Sequence, residues 1–436
     1  MDLISLQKTP SYFPRQLGIF SVAQFVGYFL GITRLAVLSK SSHNRNGMRL
    51  CGRGSLENLV VYSNRVPAKT VHPMNNAVKV SRANLGLASL VGLLLLLASC
   101  QSTQSDSFEP ALVTATVETV PVDAAVGDDA ADDPAVWFNA EQPSESRILG
   151  SDKKRGLEVF HLDGTRDTTD AIGRINNIDV RLGFPTSTGP KGLVGGSHRD
   201  QVGLVFWSID AQGIRRLRST ALKSQLEDVY GFCLYHSNGT FYAFVNSKTG
   251  DIEQWELTAT GDSIDGKRVR TLHLGGQVEG MVADDALGTL FVGVEDEGIY
   301  RFDALPTGSS RGTLLEASTA ENPAIAYDVE GLALYAPNDS TGYLVASSQG
   351  NNSYAVFERT GKHAYVGSFT VGDGTVDGTS ETDGIEIAAF SFGESYPAGI
   401  FIAQDGANTD GTVSKPQNFK VVSWAEIAQA LLAKKP

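Results

Sequence analysis

A short β-type unit that recurs along the chain is the feature that most constrains its fold. Five copies each hold an apolar run, an aromatic residue and a closing glycine, as in VFHLDG and VFWSIDAQG. The aromatic residues are spaced by 47, 48, 45 and 57 positions, namely Phe160, Trp207, Trp255, Tyr300 and Phe357. Turns of Gly, Asp and Asn separate the apolar runs, and helical periodicity is almost absent. β-Propellers with four-stranded blades of about 40–50 residues have this spacing.

We therefore predict an all-β fold, a six-bladed β-propeller whose four- to five-stranded antiparallel blades surround a central channel. The closing blade is predicted to pair an N-terminal strand near 114–120 with C-terminal strands near 399–403 and 419–424. Residues 423–434 are predicted to form a terminal helix. A tandem of β-sandwiches is the alternative, but it would not repeat so evenly.

The segment before the repeats resembles an export signal. Residues 85–97 form an apolar run of 13 residues, preceded by Lys79 and Arg82, and are too short to cross a bilayer as a helix. The sequence LASC that ends at Cys100 resembles the bacterial lipobox, in which the cysteine is lipidated. By the same resemblance, Gln101 after it, in place of Asp, favours outer-membrane sorting if the host is Gram-negative. We expect a lipid-anchored envelope protein, with a soluble secreted protein as the alternative.

This interpretation divides the chain into four segments. Met74 is the natural start of the signal, so we interpret residues 1–73 as upstream sequence translated in error, with a membrane anchor as the weaker alternative. Residues 74–99 are the expected lipoprotein signal peptide. Residues 100–112 are the polar tether after lipidated Cys100, and residues 113–436 are the propeller domain.

The charge of the chain is unevenly distributed. Residues 1–99 hold 11 Lys and Arg and two acids, which leaves 25 basic and 47 acidic residues, a net charge of −22, for the remainder. A domain this acidic repels the phosphates of nucleic acids. The cysteines Cys51, Cys100 and Cys233 are too few and too scattered for a disulfide framework or a cysteine zinc site.

The acids lie in turn-rich motifs beside glycine rather than on alternating strand faces. The motifs are DDAADDP at 128–134, VEG at 278–280, EDEG at 295–298, DVEG at 328–331 and DGTSETDG at 377–384. In a propeller, carboxylates from separate blades can converge on the central channel. Calcium takes about 6–8 oxygen ligands, so we predict a calcium site there. A solvated acidic surface is the alternative.

Four basic residues follow predicted strands, where blade loops reach the mouth of a propeller channel. They are Lys153 and Lys154 in SDKKRG, Arg199 in SHRDQ and Lys248 in NSKTG. Basic groups that face a calcium-lined basin predict an oxyanion substrate, and arginine can bind phosphate through two N–H groups. Compensation of local acids is the alternative for each residue alone, and Lys154 is the weakest of the four.

The sequence does not indicate a covalent nucleophile. It has no Arg-His-Gly stretch and no HExxH motif, and its seven histidines lack metal-ligand spacing. Cys233 lies outside any cysteine phosphatase loop and is better interpreted as a buried strand thiol. Water activated by a metal ion remains as the expected nucleophile.

Nine segments, in order from about residue 123 to residue 427, resemble the bacterial β-propeller phytases, or 3-phytases. They are DAADDPAVW (129–137), SDKKRGLEVF (151–160), INNIDVRLGF (175–184), DVYGFCLYHS (228–237), VEGMVADD (278–285), DVEGLALY (328–335), SSQGNNSYAVFER (347–359), DGTSETDGI (377–385) and GIFIAQDGAN (399–408). The resemblance implies a calcium-dependent phosphomonoesterase with several Ca²⁺ ions. Its substrate would be phytate (myo-inositol hexakisphosphate) or calcium phytate, hydrolysed to lower inositol phosphates by direct attack of a calcium-bound water.

The resemblance also implies roles for individual residues. The implied calcium ligands are Asp132, Asp133, Glu279, Glu295, Asp328, Glu330, Asp377 and Asp383. The implied phosphate-binding residues are Lys153, Arg199, Tyr230 and Lys248, with Lys154 close by. Glu330 or Asp328 is expected to hold the attacking water, and Asp179 to support a calcium ion or position a loop. The expected catalytic set is therefore Lys153, Arg199, Tyr230, Lys248 and Glu330.

Three other functions remain open from the sequence. A calcium-dependent propeller lactonase would share the acids without needing the bases, and a non-catalytic glycan-binding propeller would need neither set. A hydrolase of another phosphomonoester is the third, because Val294 and Thr249 stand where the resembled family commonly has acids. We expect a monomer that binds no nucleic acid.

Overall fold

The computed structural model describes residues 108–219 and 222–434, all within one compact unit, Gln101–Pro436. The interpretations of residues 1–73, of the signal at 74–99 and of Cys100 concern residues outside these ranges. Six small sheets of four or five strands make up the unit, together with one two-stranded hairpin. The predicted all-β, six-bladed propeller is confirmed.

The first three blades follow two short strands, β1 (Ala111–Thr114) and β2 (Val117–Glu118). Blade 1 consists of β3 (Ala131–Trp137), β4 (Arg147–Asp152), β5 (Gly156–His161) and β6 (Arg166–Asp170). Blade 2 consists of β7 (Ile175–Thr186), β8 (Gly189–His198), β9 (Gly203–Asp210) and β10 (Gly213–Arg216). Blade 3 consists of β11 (Arg218–Ser219), β12 (Phe232–Ser237), β13 (Thr240–Asn246), β14 (Asp251–Thr260) and β15 (Ser263–His273).

The last three blades complete the ring. Blade 4 consists of β16 (Val278–Asp284), β17 (Thr289–Val294), β18 (Gly298–Asp303) and β19 (Thr313–Leu314). Blade 5 consists of β20 (Val329–Tyr335), β21 (Tyr343–Ser348), β22 (Ser353–Glu358) and β23 (Tyr365–Gly372), with β1 at its outer edge. Blade 6 consists of β24 (Ile385–Ala388), β25 (Ile400–Asp405), β28 (Asn418–Ser423) and β2. The hairpin of β26 (Thr409–Asp410) and β27 (Val413–Ser414) lies between β25 and β28 along the chain.

The innermost strand of each blade contacts the innermost strands of its two neighbours. These inner strands are β3, β7, β12, β16, β20 and β24, and β24 contacts β3. Six hydrophobic clusters fill the spaces between neighbouring blades, one cluster at each boundary. The aromatic residues of the repeat belong to these clusters, from fully buried Phe160, Trp207 and Phe357 to partly buried Tyr300. Each copy of the repeat therefore contributes an aromatic residue to the contact between two neighbouring blades.

The two ends of the domain close the ring together. β2 pairs antiparallel with β28, as predicted for the closing blade. β1 pairs with β23 and β11 pairs with β15 in parallel, unlike the predicted antiparallel blades, because neither added strand is joined to its partner by a tight turn. The predicted terminal helix, α1 (Trp424–Ala433), packs on blades 5 and 6. Within the described part of the chain, no helix has the length and apolarity needed to cross a membrane.

Candidate functional site

Four inner strands carry a bulge near their first residue. Pairing with the second strand shifts between Ala131 and Pro134, Ile175 and Ile178, Val278 and Met281, and Val329 and Leu332. The residues left out of register are Asp132-Asp133, Asn176-Asn177, Glu279-Gly280 and Glu330-Gly331. Bulges re-aim side chains and are common beside active sites. Here they direct polar side chains from four blades to one end of the channel.

Glycines let the neighbouring inner strands approach closely at this end. A Cβ added to Gly231, Gly280, Gly331 or Gly384 would lie 1.9–2.6 Å from the backbone oxygen of the next blade's acid. Those oxygens belong to Glu279, Glu330, Asp383 and Asp132, respectively. No larger residue fits such an approach without moving the backbone. The acid–glycine motifs of the sequence therefore bring the acids of adjacent blades together.

Three glutamates from blades 4 and 5 form a potential metal centre. One carboxylate oxygen each from Glu279, Glu295 and Glu330 lies within 4.8 Å of the others, and all three side chains are buried. Gln277 Nε2 donates a hydrogen bond of 2.7 Å to Glu295 Oε1. Glu330 Oε2 is buried without a hydrogen-bond partner. Concentrated carboxylates with an unpaired buried oxygen fit a hard divalent cation such as Ca²⁺.

A second group of acids from blades 1 and 6 surrounds Lys153. Its Nζ lies 2.5 Å from Asp129 Oδ1, 2.8 Å from Asp383 Oδ2 and 3.1 Å from Asp132 Oδ1. Burial disfavours the charge, but these carboxylates outweigh it and raise the pKa of Lys153 far above its usual value. Gln349 Nε2 donates to the other oxygen of Asp383 at 2.8 Å. Lys153 is therefore an internal counter-ion of this group.

Burial raises the pKa of the buried carboxyl groups in both clusters, and mutual repulsion adds to this effect. Burial raises the pKa of Glu295 to about 7, to which the charges of Glu279 and Asp328 add. The pKa values of Asp132, Asp133, Glu279, Glu330 and Asp383 are raised as well, in each case first by burial. A divalent cation would favour the ionised carboxylates and reverse these shifts. We call these two clusters, with Asp328, the acidic mouth. Asp133 instead lines the channel cavity, where its Oδ2 accepts a hydrogen bond of 3.0 Å from the Ile178 N–H.

Three of the predicted phosphate-binding residues lie together beside the glutamates. Lys248 Nζ lies 4.1 Å from the ring centre of Tyr230, and the Arg199 guanidinium carbon lies 5.7 Å from it. The Tyr230 hydroxyl donates to Glu279, and burial followed by this charge raises the pKa of the phenol far above its usual value. Tyr230 thus stays protonated and links the bases to the acids. Lys154, by contrast, is exposed, and its backbone N–H donates to Asp152.

Asp377 belongs to a different cluster from the other predicted calcium ligands. Its Oδ2 accepts from the backbone N–H of Thr409 at 2.5 Å, and its Oδ1 contacts the fully buried ammonium of Lys420. Lys420 also contacts Glu118 and lies 3.5 Å from Asp405 Oδ2. The structure therefore places Asp377 in contact with Lys420 of β28, apart from the two acid clusters described above.

The opposite end of the channel carries acids that are paired with arginines, and we call it the paired mouth. Arg181 lies 2.7 Å from Asp179 and 2.9 Å from Asp285, and Arg359 binds Asp284 through Nε and Nη2 at 2.5 and 2.7 Å. Asp179 thus lies here, where its partner is Arg181. A cavity of about 520 Å³ runs along the inner strands and reaches this end.

Sequence reasoning missed the amide side chains of the acidic mouth. Asn176, Gln277 and Gln349 each donate to a different predicted metal ligand, namely Glu279, Glu295 and Asp383. The segment containing Asn176 was noted only as part of a motif, since an amide carries no charge to single it out. The sequence did contain one signal for Asn176. It lies two positions before the apolar strand residue Ile178, as Glu279 lies two positions before Met281 and Glu330 two before Leu332.

Comparison with known proteins finds one matching family model, a similar curated protein and a similar solved structure. The family model described as Phytase matches residues 83–436. The 3-phytase of Bacillus subtilis (strain 168) is 44% identical over 330 residues, which cover 73% of this chain and 85% of that protein. The β-propeller domain of Myceliophteria thermophila Cps50 (Swd1) is similar in structure, with a TM-score of 0.38 and 12% identity over 67% of this chain and 84% of that one.

Proposed function

The chain belongs to the phytase family, and from this premise we propose that it is a calcium-dependent 3-phytase that hydrolyses phytate to lower inositol phosphates and phosphate. The observation that supports calcium most strongly is the buried trio of Glu279, Glu295 and Glu330, in which Glu330 Oε2 has no partner. A polyanionic substrate could not approach such a mouth unless cations reversed its potential.

Calcium would be held by the carboxylates of Glu279, Glu295 and Glu330, with Asp132, Asp133, Asp328 and Asp383 as the surrounding ligands. When bound there, it would supply positive charge for the phosphate oxygens and acidify the water that attacks phosphorus. Glu330 Oε2 is the oxygen free to accept a proton from that water.

Each of the phosphate-binding residues then has a different role, which follows from its position. Arg199 can offer N–H groups to two phosphate oxygens, and Lys248 adds a charge above the Tyr230 ring. The Tyr230 hydroxyl, kept protonated, can donate a hydrogen bond. Lys153 reaches the phosphate from the opposite wall, between blades 1 and 6. The charge that develops on the transferred phosphoryl group would thus be met from several sides.

We further propose that the mature protein is a monomer, attached to the cell envelope through lipidated Cys100. The lipobox-like LASC sequence, the basic and apolar residues before it and the polar residues after it support this location. Cells fed a labelled fatty acid should label the wild-type chain, whereas Cys100→Ala should remain unlabelled. Equal labelling of the two chains would refute the anchor.

Phosphate release from phytate tests the catalytic proposal. The purified full chain should release phosphate with Ca²⁺ and stop when EDTA is in excess. The double variant Lys153→Ala/Arg199→Ala should lose release, whereas Lys191→Ala/Arg216→Ala, an equal charge change on blade 2, should retain it. No release by a folded, calcium-loaded chain would refute the function and direct attention to lactones and other phosphomonoesters.

A further inference from the structure

We propose that Asn176 is a positioning residue that holds the phosphate-binding Arg199 and the metal-binding Glu279 in one array. The inference rests on the proposed function, because it takes phosphate and calcium as the groups that these two residues bind. Asn176 itself touches neither group and acts through its two neighbours.

The first support is the place of Asn176 in the propeller. It is the first out-of-register residue in the bulge of β7, the position that Asp132, Glu279 and Glu330 occupy in blades 1, 4 and 5, respectively. The other three bulges carry a carboxylate at this position, and blade 2 carries a neutral amide. The bulge therefore aims Asn176 at the acidic mouth as it aims the acids.

The second support is its hydrogen bonding, which fixes the orientation of the amide. Arg199 Nη1 donates to Asn176 Oδ1 at 3.0 Å, and Asn176 Nδ2 donates to Glu279 Oε1 at 2.6 Å. Nδ2 also donates to Asn177 Oδ1 at 2.9 Å. A guanidinium can only donate and a carboxylate can only accept, so the reverse orientation would lose both bonds. The side chain is fully buried, which makes an unpaired amide costly.

The third support is the charge of Arg199. Within residues 108–219 and 222–434, Arg199 has no ion-pair partner, and its side-chain hydrogen bond goes to the neutral Asn176. The partly buried Arg181 and the buried Arg359, by contrast, are both paired with aspartates. An amide orients the guanidinium without neutralising it, so that its charge remains for a phosphate. A carboxylate at the same place would compete with the phosphate.

A purely structural role is the alternative, and Asn246 provides its matched control. Asn246 is also a fully buried asparagine next to Glu279, but its amide bonds only backbone atoms. Its Oδ1 accepts from the Gly231 N–H at 2.8 Å, and its Nδ2 donates to the Glu279 carbonyl oxygen at 3.0 Å. Loss of this amide disturbs the packing beside the site without contacting Arg199 or a carboxylate.

The test compares the full-length variants Asn176→Asp, Asn176→Leu and Asn246→Asp by calorimetric titration. Inorganic phosphate is titrated at saturating Ca²⁺, and Ca²⁺ is titrated alone. Both Asn176 variants should bind phosphate about tenfold more weakly, the size expected for one lost charge-assisted contact. Asn176→Asp should bind Ca²⁺ at least as tightly as the wild type, because it adds a carboxylate. Asn246→Asp should lower the melting temperature without separating the two affinities.

Two results would overturn the proposal. One is phosphate affinity within about twofold of the wild type in both Asn176 variants. The other is an equal loss of Ca²⁺ and phosphate affinity that follows the melting temperature, as in Asn246→Asp. If Asn176→Leu does not fold, the isosteric Asn176→Asp decides. Failure of the wild type to cleave phytate would refute the proposed function, yet its phosphate titration would still decide the role of Asn176.

Discussion

The two ends of the channel contain buried or partly buried acids in opposite electrostatic situations. At the paired mouth, one arginine spans Asp179 and Asp285, and Arg359 forms a two-nitrogen contact with Asp284. At the acidic mouth, three buried glutamates face one another, and the ammonium of Lys153 lies among Asp129, Asp132 and Asp383.

This difference distinguishes acids that stabilise the fold from acids that are available for function. An acid that is paired with a well-placed arginine is already neutralised and needs no bound cation. Removal of one partner of such a buried pair destabilises the fold. Buried acids without such partners raise one another's pKa, and the chain retains them at a cost in stability. We therefore propose that the paired mouth holds the blades together and that the acidic mouth binds cations and substrate.

The largest expected effect is that of Glu330→Gln at the acidic mouth. It removes the carboxylate whose oxygen is unpaired, so kcat/KM on phytate should fall about a thousandfold, within the range for loss of a proton acceptor. The melting temperature in EDTA should stay equal or rise, because a repelling buried charge is gone. Assays of phosphate release and thermal unfolding check both. Activity within tenfold of the wild type would remove Glu330 from the mechanism.

Arg359→Met at the paired mouth should give the opposite pattern. It leaves Asp284 buried without its partner, which should lower the free energy of unfolding by about 3–5 kcal/mol. At a temperature well below unfolding, kcat/KM on phytate should be close to that of the wild type. Urea denaturation and the phosphate assay measure the two quantities. Lost activity with unchanged stability would show that the two mouths are not functionally separate.

Lys153→Met should change the two affinities of the acidic mouth in opposite directions. Ca²⁺ should bind about tenfold more tightly, because the competing ammonium among Asp129, Asp132 and Asp383 is removed, whereas phosphate should bind more weakly. Lys248→Met is the matched control, since Lys248 lies over Tyr230 and should affect Ca²⁺ binding less. Calorimetry without substrate measures this directly, and weaker Ca²⁺ binding in Lys153→Met would contradict the counter-ion role.

The smallest effect concerns Glu386, the acid between the two mouths that Arg181 only partly compensates. Burial, then the charge of Asp179, raises its pKa to about 8 in the folded chain. The folded state therefore binds an extra proton between about pH 4.5 and 8, and wild-type stability falls as the pH rises through this window. Glu386→Gln should melt higher than the wild type at pH 9 and equally at pH 4. Equal melting at both pH values would refute this.

The fold followed from the sequence because one physical contact repeats in it. Each third strand must place an aromatic side chain between two blades, so the aromatic spacing reports the blade length. The acid–glycine motifs were informative for a similar reason. Glycine is required where neighbouring inner strands nearly touch, and this contact brings the adjacent acids together.

The remaining features of the site depend on pairing, which a single sequence does not display. The bulge that aims Asn176 into the mouth is a property of the β7–β8 register. The separation of Asp377 from the other acids depends on Lys420, which lies 43 positions away along the chain and meets it only in the folded blade. The pairing of Asp179 with Arg181 likewise assigns it to the opposite end of the channel.

Calorimetric titration of Ca²⁺ into the cation-free full chain tests the central assignment most directly. The wild type is compared with the triple variant Glu279→Gln/Glu295→Gln/Glu330→Gln, with no substrate present. Our account predicts a binding site in the wild type that is absent from the folded triple variant, together with the loss of phosphate binding. Unchanged Ca²⁺ binding in the triple variant would contradict it, and would place the functional cation elsewhere in the chain.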